Sequence, residues 1–340
     1  MKDRAGMKDK RETTVEENVF MFIQHGLCGI SNRGTQELQQ RSASTISAAL
    51  HEVANGILSI GTYFIPGPPS HRRKPHDFIA NNDKFARYFG DFDGAVDGTH
   101  IPASISPSEQ GVWRDYKNDI TQNCLVYFGY NLEVHFLLAG FEGSAHDARL
   151  LNTALKSGTF PRQGKKFVDA AFKQTTEFIK PYPSTRYHLK EWGSDDERPQ
   201  NFKELFNLRH AMCRNCAERG MGVVKKRFPI LRNMLHFDID LQVKLVQCAF
   251  CLHNFIHRHD HYEPDEFDEL SSEEMNAIIQ EAIKHADNER DTAEGFDEEE
   301  EEEEMMNDED VVETADEWRD RIAQEMWDQY QEELRNRSDT

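Results

Sequence analysis

The sequence predicts an α/β protein with a mixed β-sheet flanked by helices, an N-terminal helical domain and a disordered acidic tail. The first observation is the order of the apolar patterns, in which three strand-like segments precede a helix, a short strand and two long helices. The second is the charge, which divides the chain into a mildly basic body and a strongly acidic end. The predicted strands lie at 94–105, 123–130, 133–141 and 165–170, and the long helices at about 202–228 and 240–257.

The composition indicates a folded protein outside the membrane. Hydrophobic residues make up 38% of the 340 residues, including 22 Phe, which is enough for a core. No apolar run reaches the roughly 18–20 residues that a membrane helix needs, and the charged N-terminus lacks the apolar segment of a secretion signal. We therefore expect no membrane association and a reducing compartment, in which the 6 cysteines are free or metal-bound rather than paired.

The acidic residues are concentrated at the C-terminal end. Residues 261–340 hold 32 acidic and 6 basic side chains, whereas the remainder holds 29 acidic and 34 basic ones. Because the run Glu294–Glu304 repels itself, we predict a mostly disordered tail over 259–340, with a short amphipathic helix near 316–334. The tail is then a solubilising appendage, a partner-binding segment, or an acidic mimic that competes with nucleic acid for the basic body.

The N-terminal patterns predict a helical domain over residues 14–60, after a disordered stretch at 1–13. Thr14 and Glu17 have the spacing of a capping box, in which each side chain satisfies a backbone N–H of the other residue. Further helices fit 32–40 and 44–58. Short helices joined in this way are typical of a helix-turn-helix, and a small helical bundle that packs on the main domain is the equal alternative.

Two clusters in this part of the chain are candidate DNA contacts. In a helix-turn-helix, Arg41, Ser42 and Thr45 lie at the start of the recognition helix, where base and phosphate contacts are made. The predicted linker at 61–90 is rich in Pro and Gly and carries three consecutive basic residues, which suit a phosphate contact, a nuclear-import signal or an exposed hinge. These three residues are Arg72, Arg73 and Lys74.

Three carboxylates stand out because apolar residues surround them in the sequence. Asp97 lies in a predicted strand, Asp169 ends a short apolar strand, and Glu218 lies in a helix among Cys, Ala, Gly and Met. A carboxylate in apolar surroundings is costly unless it is paired or binds a metal. Carboxylates that converge at a sheet edge suit a hard cation such as Mg²⁺. Each one alone is explained equally well by a turn cap or by an ion pair with a nearby arginine.

Six sequence blocks resemble those of the Harbinger-type (PIF/Harbinger) DDE transposases. The blocks are GAVDGTHIP (94–102), LAGFEGSAHDARLL (138–151), FVDAAF (167–172), PYPSTRYHLKEW (181–192), ELFNLRHAMCRNCAERGMGVVKKRFPIL (204–231) and CLHNFI (251–256). The resemblance covers roughly residues 14–258. It is specific because the blocks occur in the expected order and the block around the third carboxylate is long.

The resemblance implies a ribonuclease-H-like nuclease domain over 91–258. Matched block by block, its catalytic, metal-binding carboxylates are Asp97, Asp169 and Glu218, and Asp147 matches a further family position with a supporting role. Two Mg²⁺ or Mn²⁺ ions are the implied cofactors. The implied reaction cuts phosphodiester bonds at transposon ends and joins the 3′-OH ends to target DNA.

The resemblance also implies partners and a location. The substrate is double-stranded DNA, and we expect a homo-oligomer that works in the nucleus. A Myb/SANT-like protein often assists DNA recognition in this family, and the weakly basic body fits such a dependence. On the helix of Glu218, Lys225, Lys226 and Arg227 are expected to contact phosphates, with a solvated basic face as the alternative.

The chain departs from the family pattern beside two of the carboxylates. Ala171 and Phe172 replace a Gly and a Tyr after the second aspartate, which predicts a stiffer or more crowded turn. Around the third carboxylate the replacements are Cys216, Ala217, Gly220 and Met221. These changes leave an alternative function open, namely a domesticated, catalytically inactive factor that binds DNA or protein, whereas the intact carboxylates favour an enzyme.

Two CxxC pairs raise the question of zinc. Cys213 and Cys216 form one pair, and Cys248 and Cys251 form the other, which resembles a four-cysteine site. Both pairs fall in helical apolar patterns and lack the glycine-containing turn of zinc ribbons. Because free Cys behaves as a small buried hydrophobe, we expect core cysteines and regard zinc as the less favoured alternative.

Overall fold

The computed structural model describes residues 1–68, 74–185, 199–259 and 313–338. The chain forms two compact units, each assembled from three stretches of sequence. Unit 1 takes its described residues from Met1–Ser70, Val96–Pro161 and Cys216–Glu269, and unit 2 from His71–Ala95, Arg162–Asn215 and Leu270–Thr340.

The β-strands form a five-stranded mixed sheet in the order β3-β2-β1-β4-β5. The strands are β1 (Phe92–Pro102), β2 (Thr121–Gly129), β3 (Val134–Glu142), β4 (Lys165–Phe167) and β5 (Phe178–Ile179). Strands β2 and β3 are antiparallel, whereas β4 is parallel to both β1 and β5. The mixed sheet confirms the predicted fold class. The sequence analysis missed β5, because two residues are too few to show a periodic pattern.

Helices flank the sheet and build the N-terminal part. They are α1 (Lys2–Ala5), α2 (Val15–Met21, continued by a π-helical turn at Phe22–Leu27), α3 (Asn32–Gln39), α4 (Ala43–Ser59), α5 (Gly61–Phe64), α6 (Asp77–Ala80), α7 (Asp83–Ala86), α8 (Asp147–Lys156), α9 (Phe202–Arg227), α10 (Ile239–His259) and α11 (Ala315–Ser338). No helix in the described ranges combines the length and apolar character needed to cross a membrane.

Helix α10 organises the packing of unit 1 through two buried amide side chains. Asn254 accepts the Val134 N–H at 2.8 Å and donates to the carbonyl oxygens of Val134 (2.7 Å) and Phe64 (3.0 Å). Gln242 accepts the Ser104 N–H at 2.9 Å and donates to the Ser104 carbonyl at 2.8 Å. Because buried backbone groups need partners, these amides tie α10 to the start of β3 and to the segment after β1.

The N-terminal helices begin and pack as the sequence predicts. Thr14 Oγ1 accepts the Glu17 N–H at 3.1 Å, and the Glu17 carboxylate accepts the Thr14 N–H at 2.8 Å, which completes the capping box. Helix α4 buries one apolar face in unit 1. This face consists of Ile46, Leu50, Val53 and Ile57.

Residues 1–13 are ordered in the structure, contrary to the prediction of disorder. Met7 is buried against Gly56 of α4. Asp9 accepts the Val15 N–H at 2.8 Å, and Lys10 forms an ion pair with Glu52 at 2.6 Å. The partners of Met7 and Lys10 lie on α4, more than forty positions further along the chain. The polar composition of residues 1–13 therefore gives no indication of these contacts.

Unit 2 is built around an aromatic cluster. Phe92 of β1 stacks on Phe167 of β4, with ring centroids 4.2 Å apart. Phe89 meets Phe167 edge-on at 5.0 Å, and Phe206 of α9 lies 6.3 Å from Phe89. The predicted linker at 61–90 therefore contributes to a core, because its apolar residues become buried by elements that follow much later in the sequence.

The C-terminal end differs from the predicted solvated tail. A helix occurs there, and α11 is longer than the expected segment at 316–334. Its apolar face is buried within unit 2, as expected of an amphipathic helix that packs on a core. The buried residues are Ile322, Ala323 and Met326. The acidic run Glu294–Glu304 lies outside the described residues.

We predict that Gly220→Ala destabilises the fold. Gly220 of α9 packs on the ring of Phe128 in β2, and a Cβ atom at this position would overlap that ring. Overpacking of this kind costs about 1–3 kcal/mol, which exceeds the ~1 kcal/mol that alanine gains over glycine in a helix. Urea unfolding measures the difference. Gly61→Ala, whose Cβ atom meets open space, is the control, and equal midpoints for the two variants would contradict the prediction.

Candidate active site

Asp97 lies in the middle of β1 and is half-buried. Its Oδ1 accepts the N–H of Gly98 at 3.1 Å, which holds the carboxylate close to the backbone. A carboxylate that is partly shielded from water in a strand is a candidate for metal binding.

Asp147 approaches the same strand from the start of α8. A Cβ atom on Gly98 would overlap the Asp147 carboxylate, so only glycine permits this contact. The Asn123 amide on β2 donates to Asp147 Oδ1 at 2.7 Å and to the Ala145 carbonyl at 2.8 Å. The structure thus brings Asp147 beside the residue that follows Asp97, and Asn123 fixes it there.

Asn123 is a residue that the sequence analysis did not identify. It is 1% exposed, and the signal that could have found it is a lone amide in the apolar strand NCLVYFGY. A buried amide of this kind needs hydrogen-bond partners, which indicates a polar group on a neighbouring element. Sequence alone does not say that this group is Asp147.

Asn123→Ala should destabilise unit 1, because it removes hydrogen bonds to Ala145 and to the Asp147 carboxylate. Two such bonds, one of them to a charged group, correspond to about 2–4 kcal/mol. Asn152→Ala, at an exposed position of α8, is the matched control and should change the free energy of unfolding little. A loss below ~1 kcal/mol for Asn123→Ala in urea unfolding would argue against the anchoring role.

Asp169 follows β4 by two residues and belongs to unit 2. One of its carboxylate oxygens accepts the Ala170 N–H. The other lies 3.9 Å from the guanidinium of Arg214, a residue of α9 that is buried. Asp169 is 17% exposed. Like Asp97, it is therefore held against the backbone while part of the carboxylate stays accessible.

Glu218 lies on α9, in the part of that helix that belongs to unit 1, and is half-buried. The preceding Ala217 is fully buried, and Gly220 contacts Phe128 of β2 directly. The segment of α9 that carries Glu218 is thus seated closely on the sheet.

The departures from the family pattern are accommodated in this chain. Ala171 is exposed and has no positive φ, so the absence of glycine imposes no strain and the predicted crowding beside Asp169 is not found. Phe172 is 1% exposed and contributes to the core. Met221 is also buried, beside the Gly220 contact with Phe128.

The basic residues after Glu218 have different surroundings. Lys225 donates to the His100 carbonyl at 3.2 Å, and Arg227 donates to the ring of His253 at 3.0 Å. Lys226 is exposed. Two of the three predicted phosphate contacts therefore also tie α9 to other parts of unit 1.

The N-terminal DNA-contact candidates are engaged in the helical domain. Arg41 pairs with Glu17 at 2.9 Å, and Ser42 caps α4 by accepting the Thr45 N–H at 3.2 Å. Lys74 is exposed, whereas Arg72 and Arg73 lie outside the described residues.

His100 lies three residues after Asp97 on β1. Its Nδ1 is 3.0 Å from Thr121 Oγ1. The pKa of His100 is lowered to about 4, mainly by burial; the carboxylate of Asp115 opposes this shift, and the ammonium groups of Lys225 and Lys117 add to it. The imidazole is therefore neutral in the folded protein at neutral pH.

Acid should weaken the fold partly through this histidine. Between pH 6.5 and 4 the unfolded chain binds a proton at His100 that the folded protein does not, so stability falls as the pH falls. From pH 6.5 to 4.5, His100→Asn should lose about 2 kcal/mol less than the parent. Urea unfolding at both pH values measures this, with His51→Asn as the control. An unchanged pH dependence in His100→Asn would refute it.

The metal-ligand chemistry favours carboxylates over cysteines. Burial raises the pKa of Cys251 to about 12 and raises that of Cys248 as well, which opposes the thiolate form that zinc requires. Oxygen donors such as Asp97, Asp169 and Glu218 suit Mg²⁺ or Mn²⁺. Among the described residues, no three His, Cys, Asp or Glu side chains are gathered closely enough to hold a metal ion.

Residues 96–254 match a protein-family model described as DDE superfamily endonuclease. The matched segment contains Asp97, Asp147, Asp169 and Glu218. A search of curated proteins and a search of solved structures gave no match. The five-stranded mixed sheet with flanking helices is consistent with the ribonuclease-H-like fold expected of such an enzyme. Over residues 96–254, slightly less than half of its length, the chain is therefore similar to the DDE superfamily endonucleases.

Proposed function

We propose that the protein is a divalent-metal-dependent DNA endonuclease that acts as a Harbinger-type transposase. Asp97, Asp169 and Glu218 are the proposed catalytic carboxylates, and Asp147 is the proposed supporting residue. The observation that carries the proposal is the endonuclease family match, which includes all four positions. The retained carboxylates and the well-packed segments around them support an enzyme over a decayed copy.

The strand register supports the choice of the two aspartates. In the parallel pairing of β1 with β4, Ala95 is opposite Phe167. Asp97 and Asp169 each follow this pair by two residues. Open α/β sheets place their sites beyond the carboxyl ends of parallel strands. Asp169 is at such a position of β4, whereas Asp97 lies within β1, just past its last residue paired with β4.

The proposed reaction cuts phosphodiester bonds at transposon ends and joins the 3′-OH ends to target DNA. Two Mg²⁺ or Mn²⁺ ions would supply an activated nucleophile and stabilise charge on the leaving oxygen. Asp97, Asp169 and Glu218 would bind them. Asn123 and Gly98 would hold Asp147 beside Asp97, so that the carboxylates are pre-positioned before DNA binds.

DNA binding is proposed to use basic side chains of the body. The exposed Lys226 and Lys74 are well suited to phosphates, because both side chains are open to solvent. The other proposed contacts are Arg41, Ser42, Thr45, Arg72, Arg73, Lys225 and Arg227. The body carries little net positive charge, so its non-specific grip on DNA is weak. We therefore propose that a Myb/SANT-like partner assists DNA binding. We also propose that the protein acts as a homo-oligomer in the nucleus.

We expect the purified protein to nick supercoiled DNA in Mg²⁺ or Mn²⁺. Asp97→Asn and Glu218→Gln keep the side-chain shape but remove the charge that binds the cation, and each should lower the nicking rate by about a hundredfold or more. Asp240→Asn, at an exposed position of α10, is the matched control. Gel assays with and without a chelator measure the rates.

Two outcomes would count against the proposal. Equal nicking by Asp97→Asn and the parent would remove the carboxylate assignment. Absence of nicking by the folded parent, with a Myb/SANT-like partner added, would favour the alternative of a domesticated factor that binds DNA or protein without cutting.

A further inference from the structure

Helix α11 forms hydrogen bonds with the rest of unit 2 at three positions along its length. Its first residue, Ala315, accepts a hydrogen bond from Gln174 Nε2 at 3.1 Å. One turn later, Asp320 accepts the hydroxyl of Tyr182 at 2.6 Å. Towards the other end, Gln329 accepts the hydroxyl of Tyr88 at 2.6 Å. These bonds join the helix to residues far away in sequence, so the helix is a fixed part of unit 2.

Aromatic and apolar contacts reinforce this attachment. The ring of Trp318 lies 6.0 Å from that of the buried Phe92, and the ammonium of Lys165 lies 5.0 Å from the Trp318 ring. The guanidinium of Arg319 stacks over Tyr182 at 4.2 Å. A cation over an aromatic ring contributes more when it is shielded from water, and Arg319 is only 7% exposed.

Two of these three hydrogen bonds come from residues that follow β4, namely Gln174 and Tyr182. We call residues 168–182 the Asp169 segment. Within it, Gln174 receives the Lys180 N–H at 2.8 Å while donating to Ala315, so one side chain links both ends of a loop to the helix. Tyr182 ends the segment and donates to Asp320.

The sheet pairing of this segment is short, since β4 and β5 have three and two residues. Val168 donates to the Ile179 carbonyl at 3.1 Å, and the buried Lys166 of β4 forms an ion pair with Glu177 at 2.8 Å. Asn207 of α9 adds hydrogen bonds to the backbone of Tyr182. Short edge pairings of this length are weak by themselves. The packing around the segment, including that of α11, therefore contributes to the position of Asp169.

We propose that α11 is an intramolecular clamp that holds the Asp169 segment, so that seating of this helix controls the cutting activity. The control of activity rests on the proposed function, whereas the clamp itself does not. Helix α11 is then a regulatory element and not part of a solubilising appendage. Any event that unseats α11 would loosen the loop beside Asp169.

The test uses the full-length double variant Ile322→Asp/Met326→Asp, which places two charges on the buried face of α11 and should unseat it. The control, Gln324→Asp/Asn336→Asp, adds the same two charges at exposed positions. Hydrogen–deuterium exchange reports on residues 168–182, and the nicking assay reports on activity. We expect at least tenfold faster exchange in the Asp169 segment and slower nicking for the buried-face variant, with neither change in the control.

The two readouts separate the clamp from the proposed function. If the parent does not nick DNA, exchange still tests the clamp. If α11 exchanges like an unfolded segment while the Asp169 segment keeps its protection, the clamp is overturned. Should the double variant fail to fold, Tyr182→Phe removes only the hydroxyl bond to Asp320. It should still accelerate exchange locally, and unchanged exchange in that variant would overturn the proposal.

Discussion

The need to satisfy polar groups inside an apolar sheet determines the centre of unit 1. Asp147 reaches β1 only because residue 98 is glycine, and it stays there because the buried amide of Asn123 donates to it. The same constraint recurs where Asn254 and Gln242 bind backbone groups beside α10. Each of these side chains joins two elements that are distant in sequence, so the sheet, α8 and α10 depend on one another.

Small residues leave room for aromatic rings where α9 packs on the sheet. Gly220 leaves room for the ring of Phe128, which lets the part of α9 that carries Glu218 lie closely on β2. Ala171 is exposed and unstrained, and Phe172 fills core space. At Gly220 the departure from the family pattern is therefore a local change of shape, because the ring of Phe128 occupies the space that a larger residue would take.

The acidic C-terminal end contains two segments of different composition, a highly charged run and an amphipathic helix. The run Glu294–Glu304 has no apolar residues with which to pack, apart from one phenylalanine, and its charges repel one another. Helix α11 has the opposite character, since Trp318, Ile322 and Met326 recur every four residues and produce one apolar face. Composition averaged over the whole tail conceals this difference, whereas the local period reveals it.

Local patterns and ordered motifs in the sequence predicted most strands and helices in their order, the capping box at Thr14, the buried face of α4 and the resemblance to DDE endonucleases. The sequence also named Asp97, Asp169 and Glu218, whose catalytic roles stay predictions. Contacts between distant parts of the chain account for the folded conformation of residues 1–13, the short strand β5, the contact of Asp147 with Gly98, the hydrogen bond from Asn123 to Asp147, and the packing of α11. These features depend on partners far away along the chain, and no local propensity specifies which distant surface a segment will meet.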